Sequence, residues 1–181
     1  MHTQMTDELN PAQRGDQRDP VAVRDAQPDE IDQLARVWFD AWRDAHAKVL
    51  PAELTRVRTL ESFRHRIREG LSNFRVVGPP GDPVGLCVVR ADELYQLFVS
   101  ASSRGSGVAA ALLADGETRL ASQGVETAWL ACAIGNDRAA RFYEKHGWRR
   151  VGTMRNRLDG VSGEQYLETW RYEKPLAPIS V

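Results

Sequence analysis

The chain has 181 residues, 42% hydrophobic and 27% charged, with 24 Lys and Arg against 25 Asp and Glu for a formal net charge of −1. That length suits one globular domain with a sizeable core and leaves little chain for a second. No run of Lys or Arg stands alone and no apolar run approaches the roughly 20 residues that span a bilayer, so neither nucleic acid nor a membrane is an expected partner.

Residues 1–20 are polar, rich in Gln and Asp, and almost free of large apolar side chains. Such a segment cannot offset its ordering entropy, and a disordered tail is expected. It also lacks a basic stretch followed by an apolar core, which points to a cytoplasmic protein. Val21 to Arg24 reads as a first strand. Pro28-Asp29-Glu30 then supplies a fixed φ and two acids for the first turn of a helix, in which Ile31, Leu34, Trp38, Ala41, Trp42, Ala45 and Val49 repeat at three-and-four spacing. A second amphipathic segment from Glu53 to Glu69 turns Leu60, Phe63 and Ile67 inward and closes at Gly70.

Phe74 to Val77 and Val84 to Val89 read as a hairpin across a turn of prolines and glycines at 78–83. Glu93 to Val99 is the next strand and Val108 to Ser122 a helix stopped by Gly124. Val125 to Ala133 follows as a strand, Asp137 to His146 as a helix ended by Gly147, and Arg149 to Asn156 and Glu164 to Tyr172 as closing strands. This order predicts a mixed α/β domain, one sheet with helices on both faces, over residues 21–174, with a short tail at 175–181. A right-handed crossover through the Val108 helix should make the 93–99 and 125–133 strands parallel. The turn after Val99 is then the expected ligand site. Cys87 and Cys132 lie far apart in apolar surroundings without paired ligand spacing. They read as buried small hydrophobes, and no metal is expected.

An apolar strand running into Arg104-Gly105-Ser106-Gly107-Val108-Ala109 and then into a helix suits a diphosphate held on backbone N–H groups. Small residues there let the backbone approach the ligand. An ordinary flexible loop is the plainer reading. A Walker-type loop is excluded because no Lys-Ser or Lys-Thr pair follows the last glycine, and no acidic residue ends a following strand as a dinucleotide site requires.

Arg104, Gly107 and Ala109 match a pattern of Gln or Arg, two residues, Gly, one residue, then Gly or Ala. Together with Asn136 and the phrase Phe142-Tyr143-Glu144-Lys145-His146-Gly147-Trp148, this resembles the GNAT superfamily of acyl-coenzyme-A-dependent N-acetyltransferases. The resemblance covers nearly everything from Val21 to Tyr172. It implies a single twisted, mostly antiparallel sheet with a central splayed parallel pair, opened by a bulge in the strand before the phosphate turn. Pantetheine of acetyl-CoA, the implied co-substrate, would enter that gap and bond main-chain groups of Leu97, Phe98 and Val99. The diphosphate would sit on Arg104 and the backbone from Gly105 through Ser106, Gly107 and Val108 to Ala109.

By the same resemblance, Tyr143 would protonate the departing thiolate, Asn136 would touch the coenzyme, and Glu93 would accept the amine's proton. Each has a plainer role: Tyr143 as a packing aromatic, Asn136 as a helix N-cap, Glu93 as a solvent-edge strand residue. Trp38 and Trp42 would border the acceptor, or form an ordinary core stripe; His46 and His146 are given core or surface roles. The implied activity is direct N-acetylation of a primary amine of a small molecule, without a covalent acyl-enzyme. A protein or peptide acceptor and a non-catalytic acyl-CoA sensor are the alternatives. Dimerisation through the last strands, common in the superfamily, would fit as well.

Overall fold

The computed structural model describes residues 21–157 and 166–178. The expected tail over 1–20 and the start of the last expected strand lie outside these residues. β1 (Val23–Asp25) leads through a 3-10 turn at Pro28–Glu30 into α1 (Ile31–His46). Leu34, Ala35, Trp38, Ala41 and Trp42 form its buried stripe. The single helix expected over 53–69 is instead two, α2 (Ala52–Val57) and α3 (Leu60–Gly70). Thr59 is the reason. Its backbone is extended, its hydroxyl accepts from Ser62 N at 3.2 Å, and its carbonyl accepts from the Ser62 hydroxyl at 2.7 Å. A threonine so placed caps a new helix more favourably than it continues an old one.

β2 (Phe74–Val77), β3 (Gly85–Arg90), β4 (Glu93–Val99), α4 (Val108–Ser122), β5 (Thr127–Ala133), α5 (Asp137–Lys145), β6 (Arg149–Arg157) and β7 (Tyr166–Pro175) complete the chain. The seven strands form one sheet in the order β1-β2-β3-β4-β5-β7-β6. Every neighbouring pair is antiparallel except β4 and β5. The last strand runs further than expected: Pro175 still pairs with Thr127, and Leu176 N donates to Glu126 O at 2.8 Å.

Each face of the sheet has its own core. Trp38, Phe63, Ile67 and Phe74 pack with Val76, Leu86 and Val88 under α1 and α3. Leu112, Leu113, Leu120, Leu130, Trp148 and Tyr172 pack on the face that α4 and α5 cover. α4 lies close on the sheet because Gly116 has no side chain: a Cβ there would meet Leu94 Cδ1 at 2.7 Å.

The site is created by an irregularity of β4. Val88 pairs with Gln96 but Val89 with Leu94, so Tyr95 is an extra residue that bends the strand. On its other edge β4 meets β5 only at Glu93 and Trp129. Trp129 N and Nε1 donate to Asp92 O and Oδ1 at 3.1 and 2.9 Å and pin the two strands at that end. Beyond Glu93 they diverge and leave a gap.

Candidate active site

Backbone groups of β4 line the gap. Ser100 N donates to Val84 O at 2.8 Å and Phe98 pairs with Leu86. By strand alternation the main-chain groups of Phe98 therefore face β3, and those of Leu97 and Val99 face the gap. Of the three residues expected to bond pantetheine through the main chain, Leu97 and Val99 are oriented for it. Phe98 lines the gap with its ring only.

The phosphate turn stands at the wide end. Gly107 is the N-cap of α4 with φ of 89°, a conformation that costs an L residue roughly 1–2 kcal/mol. No side chain caps this helix and no acid occupies its first turn, so its leading N–H groups and the positive end of its dipole are open to an anion. α5 differs: Asn136 Oδ1 accepts from Ala139 N at 3.3 Å, and Asp137 follows it. The Ser106 hydroxyl donates to Ser103 O at 2.6 Å and braces the turn. The Val108 side chain is buried in the core and leaves only its backbone for a ligand.

Two cavities meet at the gap. The outer one, about 470 Å³, is lined by Arg104, Gly105, Gly107 and Ala109 of the turn and by Arg138 and Phe142 of α5. The inner one, about 150 Å³, is lined by Trp42, His46, Arg58, Arg66, Glu93, Cys132 and Thr169, among others. Leu97, Phe98, Asn136, Ala139 and Tyr143 line both. Tyr143 and Asn136 thus stand where the two spaces join, and Glu93 lies in the inner one alone. Trp42 forms part of the inner wall. Trp38 does not reach either cavity: at 1% exposure it is a core residue, against Phe63 and Phe74.

Tyr143 packs against Phe142, Trp148 and Tyr172, and no group among the described residues hydrogen-bonds its hydroxyl. Burial pushes its phenol far above the ordinary value, so it keeps its proton. Burial also pushes the Cys132 thiol up to about 12, with the Asp137 and Glu144 charges adding. It is no nucleophile at neutral pH.

The sequence placed His46 on the stripe of Trp38 and Trp42 with a core or surface role, and it passed over the arginines of the two cavities other than Arg104. His46 Nδ1 lies 2.8 Å from Trp42 O and so donates to it, leaving Nε2 as an acceptor. Burial and the charge of Arg58 lower its pKa and keep the ring neutral. Arg138, two residues beyond the expected Asn136, joins Arg104 at the outer cavity. Both bond Asp44 Oδ2, at 2.9 and 2.6 Å, across the mouth from α1. Arg58 and Arg66 reach the inner cavity from the end of α2 and from α3. The repeat of Trp42 and His46 one helical turn apart was legible in the sequence; the arginine placements had no such signal.

A sheet split between a bulged strand and its parallel neighbour, with an uncapped helix at the mouth, is the arrangement that the resemblance implies for an acyl-coenzyme-A-dependent acyltransferase. The acetyltransferase (GNAT) family pattern matches residues 31–148, and the chain belongs to that family. Solved structures agree in fold. The PaiA N-acetyltransferase from Thermoplasma acidophilum, in complex with coenzyme A, is 18% identical with a TM-score of 0.63, covering 86% of this chain and 99% of its own. A phosphinothricin acetyltransferase from Sinorhizobium meliloti, in complex with acetyl-CoA, is 16% identical with a TM-score of 0.63, covering 86% and 88%. A ribosomal-protein-alanine N-acetyltransferase from Brucella melitensis is 20% identical with a TM-score of 0.59, covering 86% and 100%. No curated protein matches the sequence.

Proposed function

We propose that the protein transfers the acetyl group of acetyl-CoA directly to a primary amine of a small molecule. The supporting observation is the junction of the two cavities at Tyr143 and the Leu97 to Val99 edge of β4. One cavity opens on diphosphate-binding groups and the other on a half-buried carboxylate. The outer space suits the coenzyme arm. The inner one, about 150 Å³, is sufficient for a compact amine.

When bound, acetyl-CoA supplies an acetyl group activated as a thioester. The leading N–H groups of α4, with Arg104 and Arg138, hold its diphosphate. The N–H of Leu97 or Val99, aimed into the gap, stabilises negative charge that develops on the acetyl oxygen. Glu93 takes the proton that an ammonium must lose before its nitrogen can attack. Tyr143 Oη gives its proton to the departing sulfur and regains one from the acylated nitrogen as the amide forms, so the phenol ends the step protonated. Cys132, locked as a thiol, takes no part.

Calorimetry with acetyl-CoA and thiol-release assays over amines and peptides test this reading. Ligand at 100 times its dissociation constant should stabilise the fold by about 2.7 kcal/mol. Absence of acetyl-CoA binding to folded protein overturns the proposal. Binding without turnover on any amine or peptide makes the protein a sensor, and turnover on peptides alone moves the acceptor to proteins.

A further inference from the structure

The inner cavity has an unequal charge lining. Among the described residues it presents three arginines, Arg58, Arg66 and Arg157, against one acid, Glu93. His46 adds no charge, being held neutral. Arg58 is only 7% exposed. The Arg66 guanidinium lies over the Trp38 ring, 4.3 Å from its centre, and donates from Nη2 to Tyr95 Oη at 2.7 Å. Among the described residues that is its single hydrogen bond out of five N–H donors, so it is fixed in place with most of its fork unused. Thr169 adds a separate observation. Its residue is 3% exposed, its hydroxyl has no hydrogen-bond partner among the described residues, and it lines the same cavity. Buried polar groups of this kind are satisfied by a ligand or by water.

The charges are also separated by element. Glu93 stands on β4, where Tyr143 and the open backbone edge locate the chemistry. Arg58 and Arg66 come from the segment after α2 and from α3, and Arg157 from the end of β6. A polyamine with one amine at Glu93 would bring its second cation toward the arginines, an arrangement that like charges disfavour. A molecule with its amine at Glu93 and an anion at the arginines meets both ends. Planar carboxylate matches the guanidinium fork in geometry as well as in charge.

Resting on the acetyl-transfer reading, we infer that the acceptor is a compact amino acid: a primary amine that also carries a carboxylate, held by Arg66 with the other arginines that line the cavity, Arg58 and Arg157, while Thr169 bonds its polar body. A cavity of about 150 Å³ has room for a molecule of amino-acid size.

The test compares standard amino acids with their carboxamides and with the amines that lack the carboxyl group. For the favoured acid, kcat/KM should exceed that of both partners by about 100-fold. Arg66→Gln and the exposed Arg157→Gln should each shrink that ratio, and Thr169→Val should weaken binding without changing it. Thermal unfolding of each variant shows that it is folded; Arg157 lies at the surface, so its variant remains informative if Arg66→Gln unfolds. Calorimetric titration of the same acids and carboxamides, with and without saturating coenzyme A, reads acceptor binding apart from turnover. Equal use of acid and carboxamide by active enzyme overturns the inference and leaves acetyl transfer standing. If acetyl-CoA does not bind, acetyl transfer falls, and the titration without coenzyme decides the carboxylate site: no preference for the acids overturns it too.

Discussion

Arg104 reaches back across the mouth of the outer cavity to Asp44, Nη2 to Oδ2 at 2.6 Å, and so ties the phosphate turn to the end of α1. Arg138 joins the same oxygen at 2.9 Å. These hydrogen bonds, that of Arg138 foremost, hold the Asp44 carboxyl below its usual range. All three side chains are partly exposed, so each pair adds little to stability. Under the proposed function the coenzyme's diphosphate would draw on the same two guanidiniums. Asp44→Asn removes the competing charge and should tighten coenzyme A binding about three- to tenfold at low salt. Calorimetry at 50 mM and 1 M salt checks this, the gain disappearing at the higher concentration. Weaker binding at low salt would mean that Asp44 positions the arginines instead of competing for them.

Tyr143→Phe should lower kcat by about 100-fold or more while acetyl-CoA affinity changes less than about twofold. The ring contacts with Phe142, Trp148 and Tyr172 survive the change, so stability should hardly move. Because burial raises the phenol's pKa, the wild-type kcat profile should show no alkaline fall from this group up to pH 9. Unchanged turnover in the variant removes Tyr143 from the proton path.

Most element boundaries were legible because periodicity and punctuation agree: β4 and α4 have the ends expected from the turn at Arg90-Ala91-Asp92 and from Gly107 and Gly124. The break at Thr59 was missed because the apolar repeat of Leu60, Phe63 and Ile67 dominates its neighbourhood, while the cap depends on one hydroxyl. The bulge at Tyr95 has no local signature. It was expected only through a family likeness, and what marks it is a register shift against β3. Residues of the phosphate turn could be read because their spacing is local. Asp44 with Arg104 and Arg138, and Arg58 with Arg66 and Glu93, are brought together by packing of distant segments, which composition and spacing do not encode. Trp38 shows the converse: a helical stripe reports which side chains share a face, not which of them ends at a cavity.

Cys132→Ala should keep kcat within about twofold and cost about 1 kcal/mol of stability. The thiol is 3% exposed, lies 3.9 Å from Asn136 O, and is pushed up to about 12 chiefly by burial. At pH 7 only about one molecule in 10⁵ holds a thiolate there. Rapid-quench trapping with labelled acetyl-CoA should find no acetylated cysteine. Loss of turnover in Cys132→Ala with coenzyme binding intact would replace direct transfer by a two-step route.

Glu30 should govern how the fold responds to acid. The sequence offered it as one of two acids in a first helical turn; in the structure it is 0% exposed and joins three segments. Its carboxylate accepts from Arg24 Nη1 and Nη2 at 2.8 and 2.5 Å and from the N–H groups of Gln27 and Gly81 at 2.9 Å. Arg24 also donates to Gly78 O and Pro79 O, so β1, the entry to α1 and the β2–β3 loop close on one ion pair. The Arg24 hydrogen bonds, aided by the two N–H groups and opposed by burial, lower the Glu30 pKa from 4.5 to about 2. A carboxyl depressed on folding stabilises the folded state above its unfolded pKa. As pH falls below about 4.5 the unfolded chain takes up a proton that the folded chain refuses, and this stability is lost progressively toward pH 2. The full contribution is about 3 kcal/mol, of which about 2 kcal/mol should be gone at pH 3. Glu30→Gln leaves Arg24 facing a neutral amide in a partly buried site and should cost about 3 kcal/mol at pH 7. Urea unfolding at pH 7, 5 and 3 tests both statements, because the gap between wild type and variant should narrow by about 2 kcal/mol between pH 5 and 3. A gap that stays constant over that interval would show that Glu30 keeps an ordinary affinity for its proton in the folded chain, whatever its contacts.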